Sequence, residues 1–320
     1  NISSTGRFRV ATGAASTGNL EVGFNGGTGQ LNVASGGILE VVGSLSAPTH
    51  GNVASAVSLT GTANVSAGSA FLDRTFIVDG SNVNFSVAGN LILGLAGTHT
   101  WRIPVSGPST LQVGGNADLG GTLKLEFPGG TPSVGSTWNL IDATTVDLNE
   151  AIPSSFTNID ASAVPGLGPG QRFRVQAVNG GTHGKLAQLR LEQHPILTIN
   201  RQTGAMAITN PGSVPTVEFD IYQIRSTLGA LNPANWNSID PVGGWFEANP
   251  TNNALSELNA GAASIGASTS VSLGTPFAPT SLPFGVEDED ITFQFALPGG
   301  GFLNGEVKYA GLANNTLTLN

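Results

Sequence analysis

The sequence predicts an all-β chain: an N-terminal parallel β-helix-like solenoid followed by an antiparallel β-sandwich. Three observations carry this expectation. The stretches Gly18-Asn19-Leu20-Glu21-Val22, Gly29-Gln30-Leu31-Asn32-Val33, Gly37-Ile38-Leu39-Glu40-Val41 and Ser109-Thr110-Leu111-Gln112-Val113 repeat one unit, a small turn followed by apolar-polar-apolar alternation. The first three recur every eight to eleven residues, the pattern of a solenoid in which each coil adds one rung to a stacked sheet. Composition agrees, with 45 Gly, 18 Pro and only 10% charged residues in 320, against roughly 25% charged in an ordinary soluble domain. Beyond Pro195 the pattern changes to hairpins and long loops, which suits a sandwich.

Elements follow from period two. Arg7-Phe8-Arg9-Val10, Arg74 to Val78, Asn82 to Val87 and Asn90 to Leu93 alternate as half-buried strands, and Gly pairs at 26–27, 36–37, 114–115 and 120–121 mark corners where positive φ carries no penalty. A strand at Thr137 to Ile141 closes this region, predicted as residues 1–143. Residues 144–195 read as a looser closing and linking segment, with Pro153, Pro165 and Pro169, a short helix near Leu148 to Ile152, and strands at Arg172 to Val175 and Ala187 to Leu191. Residues 196–320 form the sandwich. ILTINRQTGAMAITN reads as a hairpin, Leu231 to Ile239 as a short helix, and Val217 to Ile224, Thr269 to Leu273, Ile291 to Ala296, Glu306 to Tyr309 and Thr316 to Leu319 as strands.

Two stretches resemble known exported proteins. LQVGGNADLGGTLKLEFPGGTPSVGSTWNLIDA is similar to the terminal rungs of passenger-type β-helices in large secreted bacterial surface proteins. The stretch holding LTINRQTGAMAITN, VEFDIYQIRSTLGALNPANWNSI and GGWFEANPTNNALSELNAG is similar to a module that closes many exported proteins of planctomycete-like bacteria. The resemblance implies location, outside the cell or at its surface, and architecture. Sequence features point the same way: the chain begins at Asn1 without Met and shows no apolar 18-mer, as expected after removal of a targeting segment. A net charge of -9 and twelve scattered basic residues exclude a nucleic-acid partner, because counterion release needs clustered Lys and Arg.

Chemistry-bearing residues are sparse. Asp73, Asp79, Asp118, Asp142 and Asp147 occur singly, although stacking can bring distant ones together. His50, His99, His183 and His194 share no metal-ligand spacing, so no catalytic residue is assigned and the chain is expected not to be an enzyme. The run Glu287-Asp288-Glu289-Asp290 offers Glu287, Asp288 and Asp290 as oxygen ligands for Ca²⁺, the single cofactor considered. It lacks the alternate spacing of a calcium loop, and a solvated acidic loop is the simpler reading. Trp236, beside Pro233 and several Asn residues, is the candidate glycan contact, while Trp245 is expected in the core. Four Asn-x-Ser/Thr matches, at Asn1, Asn64, Asn84 and Asn314, are no more than this Asn- and Ser-rich chain yields by chance.

The termini complete the expectation. Ile2, Phe8 and Val10 at one end and Leu317 and Leu319 at the other alternate without Pro and offer strands to another copy. The function so predicted is an exported structural protein assembled head to tail into a filament, stalk or coat. The alternative is a carbohydrate-binding or adhesive surface module with surface glycans as partners.

Overall fold

The computed structural model describes residues 1–3, 5–10, 12–13, 16–24, 27–48, 54–147, 156–214, 216–239, 244–278, 289–298 and 300–313. Among these residues the chain is all-β, with parallel and antiparallel sheets and no α-helix. It divides into two compact units, residues 1–167 with 173–192, and residues 168–172 with 193–320.

In the first unit the chain alternates between two sheets. One runs Arg7–Val10, Ile38–Ala47, Asn64–Leu72, Asn84–Val87, Leu111–Leu119 and Thr137–Asp147, all parallel, and ends on the antiparallel strand Gly184–Gln193 and then Gln171–Gly180. The other runs Gln30–Val33, Ala56–Thr60, Thr75–Asp79, Thr98–Arg102, Thr122–Glu126 and Asn158–Asp160, all parallel. The short repeats were expected to stack one on the next, but they fall alternately in the two sheets. Leu20–Glu21 and Ile38–Ala47 lie in the first sheet and Gln30–Val33 in the second. Eight to eleven residues complete one strand and its turn, whereas the chain returns to a given position only after a longer path. Hydrogen bonds between stacked residues such as Asn84 Nδ2 to Asn64 Oδ1 and Asn116 N to Asn90 Oδ1 span 20 and 26 residues.

Parallel pairing puts like positions side by side, so each apolar position of the alternation becomes a continuous column. Val10, Val41, Ala67, Val87, Val113 and Ala143 are consecutive partners in one sheet. Leu31, Val57, Phe76, His99, Leu123 and Ile159 are consecutive partners in the other. The inner faces of both sheets supply one core, tightened by Phe76 against Phe85 and Trp101 at 5.8 and 6.0 Å. Each fully buried aliphatic side chain in such a column contributes about 1.5–3 kcal/mol.

The long strands bend at register shifts between Val41 and Ser44 and between Val113 and Asn116. Glycine stands at these bends because neighbouring backbones come too close for a side chain: a Cβ on Gly68 would lie 2.4 Å from the carbonyl oxygen of Val42. The adjoining asparagines lock the offset. Asn19 Oδ1 accepts from the amide of Ser44 at 2.8 Å, and Asn90 Oδ1 from that of Asn116 at 2.9 Å.

The second unit carries the expected hairpin, Ile196–Asn200 with Met206–Thr209, in a four-stranded sheet with Ser270–Ser272 and Glu306–Ala310. The last of these pairs with Ile196–Asn200 in parallel, which departs from the fully antiparallel expectation. A five-stranded antiparallel sheet follows the order Trp245–Glu247, Ala254–Gly266, Thr216–Arg225, Thr292–Ala296, Phe302–Asn304. Both sheets contribute to one core, with Leu197, Ile199, Met206 and Ile208 from the first and Phe219, Tyr222, Leu255 and Phe293 from the second. The helix expected at Leu231 to Ile239 is only a 3-10 turn, Pro233–Asn235, capped by Asn232 Oδ1 on the amide of Ala234 at 3.1 Å. Trp236 already leaves it in extended conformation to bridge Gly274. The helix expected at Leu148 to Ile152 and the strand at Thr316 to Leu319 lie outside the described residues.

His99 interrupts an otherwise apolar column. It is fully buried, its Nε2 faces the carbonyl oxygen of Gly94 at 3.3 Å, and its Nδ1 makes no hydrogen bond. Burial pushes its pKa from 6.5 down to about 4, against smaller opposing effects of Gly94 and Asp73. The unfolded chain takes up this proton below 6.5 and the folded chain only near 4. Stability is therefore full above the upper value and falls as pH drops towards the lower, by about 1.4 kcal/mol per pH unit and roughly 3 kcal/mol in all. His99→Leu is expected to remove this share of acid sensitivity, read as a smaller difference between urea midpoints at about pH 7 and about pH 4.5 than in the wild type.

Candidate functional site

The first strand of the first unit is an open edge. Arg7–Val10 pairs with Ile38–Ala47 on one side, and among the described residues nothing pairs with the other. Ile38 N donates to the carbonyl oxygen of Gly6 at 2.9 Å. Because amide and carbonyl of one residue in a parallel strand point the same way, alternation aims those of Phe8 and Val10 into the sheet and those of Arg7 and Arg9 outward. Ile2 is tied in as well, donating to Asn32 O at 2.8 Å and accepting from Ala34 N at 2.9 Å. Ile2, Phe8 and Val10 are thus not loose strand donors, as expected, but members of their own unit, held there by backbone bonds to the next strands. What remains exposed is the far edge, with Phe8 49% exposed and the guanidinium groups of Arg7 and Arg9 both turned to Glu40. Leu317 and Leu319 lie outside the described residues. The opposite end of the same sheet finishes in antiparallel strands, with Phe173 stacked on Phe127 at 5.6 Å and Trp138 against Phe127 at 5.1 Å.

Stacking brings together two of the scattered carboxylates. Asp118 and Asp147 are direct partners on parallel strands, so their α-carbons sit one strand spacing, about 4.8 Å, apart. They line an open depression of about 420 Å³ with Asn90, Ile92, Asn116, Thr145 and Val146. Burial, then the neighbouring Asp147, raises the pKa of Asp118 above the usual carboxylate range. Asn116 Oδ1 accepts from Thr145 Oγ1 at 2.6 Å, so the polar wall is partly spent on itself. Such a pair can accept a hydrogen bond from a hydroxyl.

The other acidic residues hold the fold. Asp73 Oδ1 accepts from Ala96 N at 2.9 Å. Asp79 pairs with Arg102 at 3.0 Å. Asp142, buried, accepts from the amides of Thr182 at 2.6 Å and His183 at 3.0 Å in a hairpin turn. Of the acidic run, Glu287 and Asp288 lie outside the described residues. Asp290 is a loop clasp, accepting from Ser226 Oγ at 3.0 Å, Thr227 Oγ1 at 2.8 Å and Leu228 N at 2.7 Å. Burial raises its pKa, but these hydrogen bonds outweigh it and hold the carboxyl below its usual range. Its oxygens accept these three hydrogen bonds from the protein, and Glu289 pairs with Arg201. Among the described residues no group of three His, Asp or Glu is placed to hold a metal.

Trp236 is not an exposed platform. It is 9% exposed and belongs to the second core, because the turn at Pro233 returns its backbone to Gly274 and folds the indole inward. Trp245 is buried as expected, against Phe219 and Tyr222. His194 is buried against Phe295 at 5.3 Å, and His50 lies outside the described residues.

Sequence reasoning missed Glu257, a carboxylate only 1% exposed. It accepts from Tyr222 Oη, from Ser238 Oγ at 2.7 Å and from Ile239 N at 2.9 Å. Burial first, then Glu257, raises the Tyr222 phenol far above its ordinary pKa. Alternation along Leu255-Ser256-Glu257 places Glu257 on the same face as Leu255, and this was the available signal. Comparison with protein-family models, with curated proteins and with solved structures finds no match to this chain.

Asp118→Asn removes one of two like charges held side by side, at an exposed position where the amide fits. It is expected to stabilise the protein by about 0.5 kcal/mol near neutral pH. The gain should shrink as pH falls and the wild-type carboxyl takes up its proton. Chemical denaturation at two pH values checks both statements.

Proposed function

We propose that this chain is an exported, non-enzymatic structural protein of the cell surface or extracellular space, whose first unit is a β-helix-like solenoid and whose second is a β-sandwich. Copies assemble head to tail. The observation that carries this reading is the open edge at Arg7–Val10, a row of outward amides and carbonyls at the end of a parallel sheet. A strand accepted there continues the same ladder. If it comes from a different surface of the next copy, such as the segment holding Leu317 and Leu319, the contact does not close on itself and propagates. Glu40 offsets the charge of Arg7 and Arg9, which lowers the barrier such residues usually set at an edge. No cofactor is needed for this role.

A second reading rests on Asp118 and Asp147. Two carboxylates on adjacent strands, one with a raised pKa, are the furniture of polysaccharide cleavage. Release of reducing or unsaturated sugars, abolished in Asp118→Asn, would favour that reading over ours.

Arg9→Pro separates assembly from folding. It deletes an outward N–H without touching a bond inside the sheet, and proline is tolerated on an edge strand. The variant is expected to keep the wild-type circular dichroism spectrum and to lose the filaments that the intact protein shows by electron microscopy. Filaments persisting in Arg9→Pro, or intact protein that stays monomeric by light scattering at high concentration, would overturn the proposal.

A further inference from the structure

The outer face of the five-stranded sheet carries a row of apolar side chains, three of them exposed. Phe246, Leu258, Ile221, Ala296 and Phe302 are consecutive cross-strand partners, one from each strand. Phe246, Leu258 and Phe302 are 61%, 48% and 46% exposed. The opposite face of the same strands already fills the core with Trp245, Leu255, Tyr222 and Phe295. Two residues along, the next row is made of amides: Gln223 partners Gln294, and Gln294 partners Asn304, with Gln294 Nε2 donating to Asn304 Oδ1 at 2.9 Å. Four strand spacings separate Phe246 from Phe302, about 19 Å, and the two rows lie roughly 7 Å apart.

We propose that this face binds an uncharged polysaccharide chain lying across the strands, with its sugar rings on Phe246 and Phe302 and its hydroxyls towards Gln223, Gln294 and Asn304. Neither row contains an ionisable side chain; Asp220, next to Ile221 at the register shift, and Arg225, two residues beyond Gln223, flank the rows, so the two rows themselves complement an uncharged ligand. A pyranose ring has an apolar C–H face and a rim of hydroxyls, and the two rows present apolar side chains and amides side by side. A peptide strand gains little here, because the backbone groups of the three inner strands are already paired within the sheet. A second copy is a poor occupant as well. The apolar line is one side chain wide and Ala296 is only 1% exposed, which falls well short of the ~800 Å² per partner of a stable interface. Exposed apolar surface that is narrow, long and rimmed by polar groups suits a linear ligand. The inference does not rest on head-to-tail assembly, since it uses neither the edge at Arg7–Val10 nor any terminal strand.

The test uses the intact chain with uncharged β-linked oligosaccharides of increasing length derived from glucan, xylan, mannan and chitin, and with the parent insoluble polysaccharides. One of these series is expected to bind in calorimetry with affinity that rises with length and then levels off. Phe246→Ala and Phe302→Ala, both at exposed positions, are each expected to weaken binding by about tenfold or more with an unchanged melting temperature, while Phe246→Trp retains it. Arg9→Pro is expected to bind as the wild type does, which keeps this result separate from assembly. Absence of binding in all four series, or equal binding by the two Ala variants, would overturn the proposal. So would loss of self-association in the Ala variants without any glycan effect, which would make the face a contact between copies.

Discussion

Parallel, in-register pairing is the constraint from which the rest of the first unit follows. Once Gln30 sits beside Ala56 and Ala56 beside Thr75, every choice of side chain is repeated against its own kind at the next strand. An apolar position succeeds only if its whole column is apolar, which is why a single polar member such as His99 stays neutral and carries an acid-dependent cost. On the outer face the same rule separates good columns from poor ones. Asp79, Arg102 and Glu126 are consecutive partners, and Arg102 bridges both carboxylates at 3.0 and 2.6 Å. Its hydrogen bond holds Glu126 below the usual range. Such half-exposed pairs contribute only about 0–1 kcal/mol each, but they make the column permissible. Asp118 beside Asp147 has no such cation among its described cross-strand partners.

The individual strands were legible because alternation is a local property, and Thr75–Asp79 or Asn84–Val87 can be read from four or five residues. Which strands pair was not, because it depends on the length of the return path, and Gly18, Gly29 and Gly37 mark turns without saying which turn brings the chain back to the same sheet. A subtler signal was present. Gly18-Asn19, Gly89-Asn90 and Gly115-Asn116 each stand where long strands shift register, and the asparagines at 19 and 90 accept an amide from the following strand. A Gly-Asn pair before an alternating run thus marks a bend in this unit, a meaning that emerges only once the neighbouring backbone is known to crowd Gly68 and Gly115.

In the second unit Trp236 was misjudged for the opposite reason. Trp236 stands among Asn and Pro residues, so its neighbours in sequence suggested a wet loop, whereas in space it belongs to the core that also holds Tyr222, Leu231 and Ile239. Local polarity reports on the backbone turn, and says little about where a large apolar ring goes when a core lies within reach. Phe246 is the mirror case. It follows a buried Trp245, and the two-residue period of a strand sends it to the other face. That step was available from the sequence once Trp245–Glu247 was recognised as a strand. The row it joins was not, because Phe246, Leu258, Ile221, Ala296 and Phe302 come from five strands in non-sequential order.

The two proposed contacts are of different physical kinds. At Arg7–Val10 the offered groups are backbone amides and carbonyls, identical in every strand, so an edge of this sort selects a partner by extended shape and alternation and only weakly by side chain. On the outer face of the five-stranded sheet the backbone groups of the inner strands are already paired, and selectivity lies wholly in side chains, two rings at a set separation with amides alongside. Edge pairing becomes cooperative through repetition, since each added strand recreates the edge it consumed. Face binding saturates, since its reach ends with the fifth strand. If both proposals hold, one surface extends an assembly and the other attaches it to a polymer of a different chemistry. Because the first depends on backbone geometry and the second on exposed rings, substitutions can remove either without disturbing the other.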